Sequence, residues 1–270
     1  IRNAGVELQL DTRIIDKAVK WDFGVNLSVN RSKVLSLSED KDIFGSTVSN
    51  TIISDQLNLM RIGEPMYVFY GYVEEGYDDN GQLVYKDLDG VDGITPADKT
   101  IIGNPNPDCL LNFNTAVSYR GFTLSAFFQG SIGNDIYSLS MASAAYDYSS
   151  NANTLREVLY NHWTPETPNA KYPNLRQDIA LKMSDRFVYD GSYMRLKNLE
   201  LSYNIPCGKS RVISKARVYV SAQNLWTITS YPFWDPDVNA KGGSSSLAQG
   251  IDASSYPGAR TFTLGCRLVF

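Results

Sequence analysis

Residues 111–128 read LNFNTAVSYRGFTLSAFF, and the period of this stretch decides the fold. From Leu111 the odd positions Phe113, Thr115, Val117 and Tyr119 are mostly apolar, whereas Asn112, Asn114, Ala116, Ser118 and Arg120 are small or polar. A helix would repeat its apolar residues every three or four positions, so alternation with period two marks a two-sided strand. Arg120-Gly121 supplies a tight turn. The chain returns with Phe122, Leu124, Ala126 and Phe128 on one face and Thr123, Ser125 and Gln129 on the other, completing a β-hairpin with a connection of about two residues.

The same pattern extends in both directions. Val6, Leu8 and Leu10 alternate with Glu7 and Gln9, and beyond a turn at Asp16-Lys17 Phe23, Val25, Leu27 and Val29 alternate with Gly24, Asn26, Ser28 and Asn30. Leu199, Leu201, Tyr203 and Ile205 alternate out of phase with Met194 and Leu196, which predicts a bulge near Lys197-Asn198. Ala216, Val218, Val220 and Ala222 form a further row, and Phe262, Leu264, Cys266, Leu268 and Phe270 the last. Seven strands are predicted, over 3–14, 20–37, 109–119, 122–131, 192–205, 214–228 and 260–270, with a further hairpin around Tyr67 to Tyr85. Leu155, Val158, Leu159 and His162 make one short helical pattern, stopped by Pro165.

The connections alternate in length: short near residues 15, 120 and 206, very long over 38–108, 132–191 and 229–259. Loops of that size are uncommon in compact domains. Every long one falls at the same end of an up-and-down series, the asymmetry of an outer-membrane barrel. Alternation by itself fits a soluble β-sandwich with decorated loops equally well; the strict short-long order favours the membrane barrel. The rows Phe122/Leu124/Ala126/Phe128, Ala216/Val218/Val220/Ala222 and Phe262/Leu264/Cys266/Leu268/Phe270 would then face lipid.

Composition narrows the function classes. In 270 residues, 43% hydrophobic and 20% charged, 25 Lys and Arg stand against 29 Asp and Glu, so there is no basic footprint for nucleic acid. Cys109, Cys207 and Cys266 are far apart, with no CxxC pair, and indicate neither a disulfide framework nor a zinc site. The single His162 argues against a Ser-His-Asp triad, and no phosphate loop, GxSxG elbow or HExxH motif occurs. An enzyme is not expected. No apolar run of about 18 residues is present, which excludes a transmembrane helix but not a β-barrel. The opening Ile1-Arg2-Asn3, without Met or a signal-like segment, leads us to expect a piece of a longer protein.

Two clusters are candidate sites. Asp87, Asp89, Asp92 and Asp98 lie in DLDGVDGITPAD with the one-to-twelve spacing of a calcium loop, because a hard cation needs several oxygens on a tight turn. The interior departs from that pattern, with Val91 at the fifth position, Asp92 where Gly is expected, and Asp98 in place of a bidentate Glu. Tyr231, Phe233 and Trp234, just beyond a strand end, offer flat rings suited to stacking on a ligand. Asp235 and Asp237, flanking Pro236, read as turn residues.

The last eight residues, TLGCRLVF, resemble the C-terminal signal by which outer-membrane barrels are recognised for insertion, with Gly265, Leu268 and Phe270 in the matching positions. YMRLKNLELSYNIP (193–206), ARVYVSAQNLWTITSYPFWDPDV (216–238) and YPGARTFTLGCRLVF (256–270) are similar to the C-terminal signature of SusC/RagA-type TonB-dependent outer-membrane transporters. NAGVELQL (3–10), GEPMYVFYGY (63–72), IIGNPNPD (101–108), GFTLSAFFQGSIGNDIY (121–137) and WTPETPNAKYPNL (163–175) extend that resemblance across essentially the whole chain.

The resemblance implies an all-β, antiparallel up-and-down transmembrane barrel. Residues 1–270 would form the C-terminal part, about seven to nine of roughly 22 strands, with the plug and the N-terminal strands outside this chain. It implies active import of an oligosaccharide or peptide nutrient across a Gram-negative outer membrane. The partners would be a SusD-like surface lipoprotein and the TonB system, the latter acting through regions not in this chain. No cofactor is expected; calcium at the Asp87–Asp98 loop is suggested by the spacing of its acids alone. A soluble carbohydrate-binding or enzymatic β-sandwich and a passive porin-type channel are the alternatives.

Overall fold

The computed structural model describes residues 1–148, 153–175, 181–208, 212–238 and 248–270. Seven long strands run β1 (Arg2–Asp16), β2 (Val19–Lys33), β3 (Cys109–Tyr119), β4 (Phe122–Ile132), β5 (Tyr193–Ile205), β6 (Lys215–Thr229) and β7 (Thr261–Val269). They form one antiparallel sheet in which spatial order equals chain order. Up-and-down order follows from the two-residue turns, and the clearest is the β3–β4 turn. Arg120 (φ 45°) and Gly121 (φ 87°) both occupy the left-handed region, the geometry whose twist matches that of the strands it joins.

Register turns the separate alternations into two continuous faces. One row across the sheet runs Val117, Leu124, Leu201, Val220 and Leu264; another on the same face runs Leu10, Val25, Phe113, Phe128, Leu196 and Trp226. The predicted lipid-facing rows of β4, β6 and β7 thus share one face. The opposite face carries Asp11, Gly24, Asn114, Phe127, Asn198, Gln223 and Thr261 in one row, polar but for Phe127 and Gly24. The predicted bulge is present. Lys197 is the extra residue of β5 against β4, and β6 answers with its own irregularity, where Asn224 takes φ 51°. These devices bring Leu196 back onto the apolar face beside Phe128 and Trp226.

The apolar face is exposed, not packed. Leu124, Leu201, Val220 and Leu264 all lie open, whereas the buried core sits in the long connections at one end of the sheet. A sandwich would cover such a face with a second sheet. The outer strands β1 and β7 each pair with one neighbour only, and both are exposed along almost their whole length. Sheet and edges together are those of a sector of a barrel wall.

Loop L1 (34–108), loop L2 (133–192) and loop L3 (230–260) fold on one another. Val48, Leu57 and Phe69 from L1, Tyr137, Tyr146 and Phe187 from L2 and its flank, and Ile251 from L3 form a single apolar cluster. Backbone pairing reinforces it, since Asp135–Ser138 lies between Val188–Asp190 and Ile251–Asp252, the latter in parallel. Three expectations are corrected here. Strand β2 ends at Lys33, so L1 begins earlier than residue 38. Only the second half of the Tyr67–Tyr85 segment is a hairpin, Glu74–Tyr77 against Leu83–Tyr85, because Val68–Gly71 pairs instead with Thr100–Gly103 and Asn58–Met60. The helical pattern after Leu155 is helix α2 (Arg156–Tyr160), with Val158 fully buried, but it is preceded by a helix α1 (Leu139–Tyr146) whose Ser- and Ala-rich sequence gave no periodic signal. Among the described residues no helix is long and apolar enough to cross a membrane, which says nothing of a β-barrel.

Candidate functional site

The chemistry-bearing residues fall in three places: the loop cluster, the junction of loop and wall, and the polar wall itself. In the loop cluster, Asp87, Asp89 and Asp98 bring one carboxylate oxygen each to within 4.8 Å of one another, while Asp92 stays outside the group. The turn closes on its own amides. Asp98 Oδ1 accepts the Leu88 N–H at 2.7 Å and that of Asp89 at 3.2 Å, Oδ2 accepts the Thr95 N–H at 2.7 Å, and Asp89 Oδ2 accepts from the Thr95 hydroxyl. The Thr95, Leu88 and Asp89 amides hold the Asp98 carboxyl below the usual carboxylate range, because they stabilise its charged form.

Loops L1 and L2 are joined by a clasp that the sequence did not reveal. The Arg186 guanidinium forks onto the Glu74 carboxylate and also donates to Tyr146 Oη at 2.8 Å and Tyr77 Oη at 3.0 Å. Both ends of the pair are largely buried, and its planar fork explains why an arginine serves here.

The three aromatic candidates of L3 separate into two roles. Tyr231 is buried, donates to Asp252 Oδ2 at 2.6 Å and lies 2.8 Å from Ser138 Oγ. Burial and then the Asp252 carboxylate push its phenol far above the ordinary tyrosine range, so it stays protonated as an internal strut. Phe233 and Trp234 stack on each other with centroids 4.9 Å apart, and Trp234 is 60% exposed. Of the three rings Trp234 is the most exposed.

Arg195 of β5 ties down the residues that follow Phe233 and Trp234 in the chain. Only 4% exposed, it stands on the polar face opposite Gln129 and Thr227, donates from Nε to Thr227 Oγ1 at 3.0 Å, and pairs with Asp235. Asp237 approaches its other terminal nitrogen at 3.7 Å. Asp235 also accepts the Asp237 N–H at 2.9 Å, which is the expected turn chemistry, and the Gly258 N–H at 3.2 Å. An arginine in a strand and an aspartate 40 residues later are each unremarkable in sequence; the pairing of β5 with β6 brings them together.

On the polar wall, Asp11, Arg13, Asn114, Ser125, Phe127 and Asn198 line a groove of about 430 Å³. Gly24 lies at its floor, where an added Cβ would collide with the Asp11 and Asn114 side-chain oxygens. Of the terminal positions, Gly265 lies under the ring of Tyr219, its register partner, Leu268 is on the apolar face opposite Ala216, and Phe270 extends beyond β7, exposed.

No family model matches the chain. In sequence it is 34% identical over 294 aligned residues to the TonB-dependent receptor P3 of Formosa agariphila, covering all of this chain and 29% of that protein. It is 28% identical to the TonB-dependent receptor SusC of Bacteroides thetaiotaomicron, covering 26% of it. In fold it superposes on a chain of the RagAB peptide transporter with a TM-score of 0.79 at 24% identity, over 98% of this chain and 29% of that one. The chain therefore spans a little over a quarter of the relatives it matches, and those relatives are receptors and transporters, not enzymes.

Proposed function

We infer that this chain, a member of the SusC/RagA-type TonB-dependent receptors, forms part of the wall and the surface loops of an outer-membrane barrel that imports a nutrient. One observation carries the reading: a seven-stranded antiparallel sheet with one continuous, uncovered apolar face, a polar opposite face and two unpaired edges. Lipid does not tolerate open edges, so β1 and β7 pair along their free edges with further strands of the parent barrel. This chain supplies the C-terminal part, and TLGCRLVF, with Gly265, Leu268 and Phe270, is the segment read by the insertion machinery.

The cargo is an oligosaccharide or a peptide, captured on the loop side beneath a SusD-like lipoprotein, with energy delivered through TonB and a plug outside this chain. The Phe233–Trp234 pair and the polar wall support such a path, since aromatic rings and amides suit both sugar faces and peptide backbones. The test uses the parent receptor, tagged in its own outer membrane. A surface lipoprotein is expected to co-purify with it, and a deletion strain is expected to lose growth on a defined glycan or on peptides while keeping growth on monosaccharides. Uptake that persists without TonB would make the protein a passive channel. Recovery of the intact receptor in the aqueous phase would return it to a soluble sandwich.

Calcium held by Asp87, Asp89 and Asp98 is a second, separable proposal, supported by the convergence of the three carboxylates. Calorimetric titration of the parent receptor with calcium chloride is expected to release heat that Asp87→Asn removes, and a flat titration would assign the turn to its own amides alone.

A further inference from the structure

At the short-turn end of the polar wall, like charges face each other with too few partners. Arg217 of β6 lies directly opposite Arg267 of β7, and Lys215, two residues before Arg217, shares their face. Side chains so placed stand about 5 Å apart at Cβ, and like charges there repel. Arg217 donates through Nη2 to Glu200 and to Ser202 Oγ, but its Nε is buried with no acceptor. Among the described residues, Arg267 and Lys215 make no ion pair, and the one carboxylate paired in this cluster, Glu200, is held by Arg217. Asn204, Ala216 and Val269 complete with them the lining of a cavity of about 440 Å³.

We propose that this cavity is an anion-binding site that takes the carboxylates of an acidic polypeptide segment lying against the inner wall. Charge complementarity selects an anion, because three donors in and around a cavity with one acid gain most from further carboxylates. The face selects polypeptide over lipid. Arg217 and Arg267 stand on the polar side, whereas lipid headgroups meet the apolar one, presented here by Ala216 and Leu268. Size agrees, since the cavity admits a side-chain carboxylate or two but not a folded domain. The proposal rests on the barrel-wall reading of the previous subsection.

The experiment places p-benzoylphenylalanine at Val269 of the parent receptor, irradiates outer membranes and identifies the adduct by mass spectrometry. A peptide adduct containing Asp or Glu is expected. Its yield should fall about tenfold in Arg267→Glu, the factor of one charge-assisted contact, and persist in Arg267→Lys. Adducts with lipid, an adduct indifferent to Arg267→Glu, or none from an assembled receptor would each overturn the site. Should Arg267→Glu fail to assemble, Arg267→Gln together with salt dependence of the wild-type yield in detergent makes the same distinction. Heat-modifiable gel mobility of the same samples reports the barrel separately, so loss of the site and loss of the barrel are told apart.

Discussion

Arg195→Ala should release loop L3 from the barrel wall and destabilise the loop end by about 3 kcal/mol, the lower part of the range for removing one member of a buried ion pair. The reason lies less in the attraction lost than in what remains. Asp235 is itself largely buried, so without the guanidinium its charge keeps only the Asp237 and Gly258 amides. Those two donors place the loss at the low end of the range. Limited proteolysis of the parent receptor between residues 229 and 260 is the direct measurement, and cleavage there should accelerate strongly in the variant. Arg195→Lys should fall between, keeping the charge but losing the fork that reaches Thr227 and Asp235 together. Ligand binding should weaken in parallel, because Phe233 and Trp234 sit immediately before Asp235 in the chain. An unchanged cleavage rate in Arg195→Ala would show that the apolar cluster around Ile251, and not this ion pair, fixes L3.

The wall was legible in the sequence because a strand repeats its signal locally. Each of Leu199, Leu201 and Tyr203 reports its face through its neighbours two residues away, and the out-of-phase Met194 and Leu196 announced the bulge at Lys197. The loops were not legible, because their order is non-local. Val68–Gly71 resembles the first half of a hairpin until Thr100–Gly103 arrives to pair with it. Helix α1 reads LSMASAAY, with Leu139, Ser140, Met141, Ala142, Ala145 and Tyr146 all buried, so burial runs around the helix and leaves no amphipathic stripe to read. Tyr231 and Trp234 are three residues apart and alike in sequence. Asp252, 21 residues further on, makes the first a strut, whereas the second stays 60% exposed among the described residues. The charged pairs Glu74–Arg186 and Arg195–Asp235 were hidden for the same reason, since alternation marks a residue as polar without naming its partner.

Val220→Arg and Ser221→Arg differ by one position in the chain and should differ by about 2–4 kcal/mol in barrel stability, the depth-dependent penalty for an arginine facing lipid near the bilayer midplane. Val220 lies between Leu201 and Leu264 on the apolar face, and Ser221 between Glu200 and Thr263 on the polar one. Five residues separate Val220 from the start of β6, about 17 Å along the strand, which sets it near the middle of the hydrocarbon layer. An arginine at 221 instead stands on the polar inner wall, where it is not desolvated by lipid, so its expected effect is limited to crowding against Glu200, already held by Arg217. Heat-modifiable mobility of the parent receptor in the outer membrane measures the folded fraction, which should drop steeply for Val220→Arg and little for Ser221→Arg. Because register is continuous across all seven strands, the result speaks for the whole face and not for one residue. Equal assembly of the two variants would mean that both faces meet the same medium, and a sheet of that kind belongs to a soluble sandwich whose second layer lies in another part of the protein.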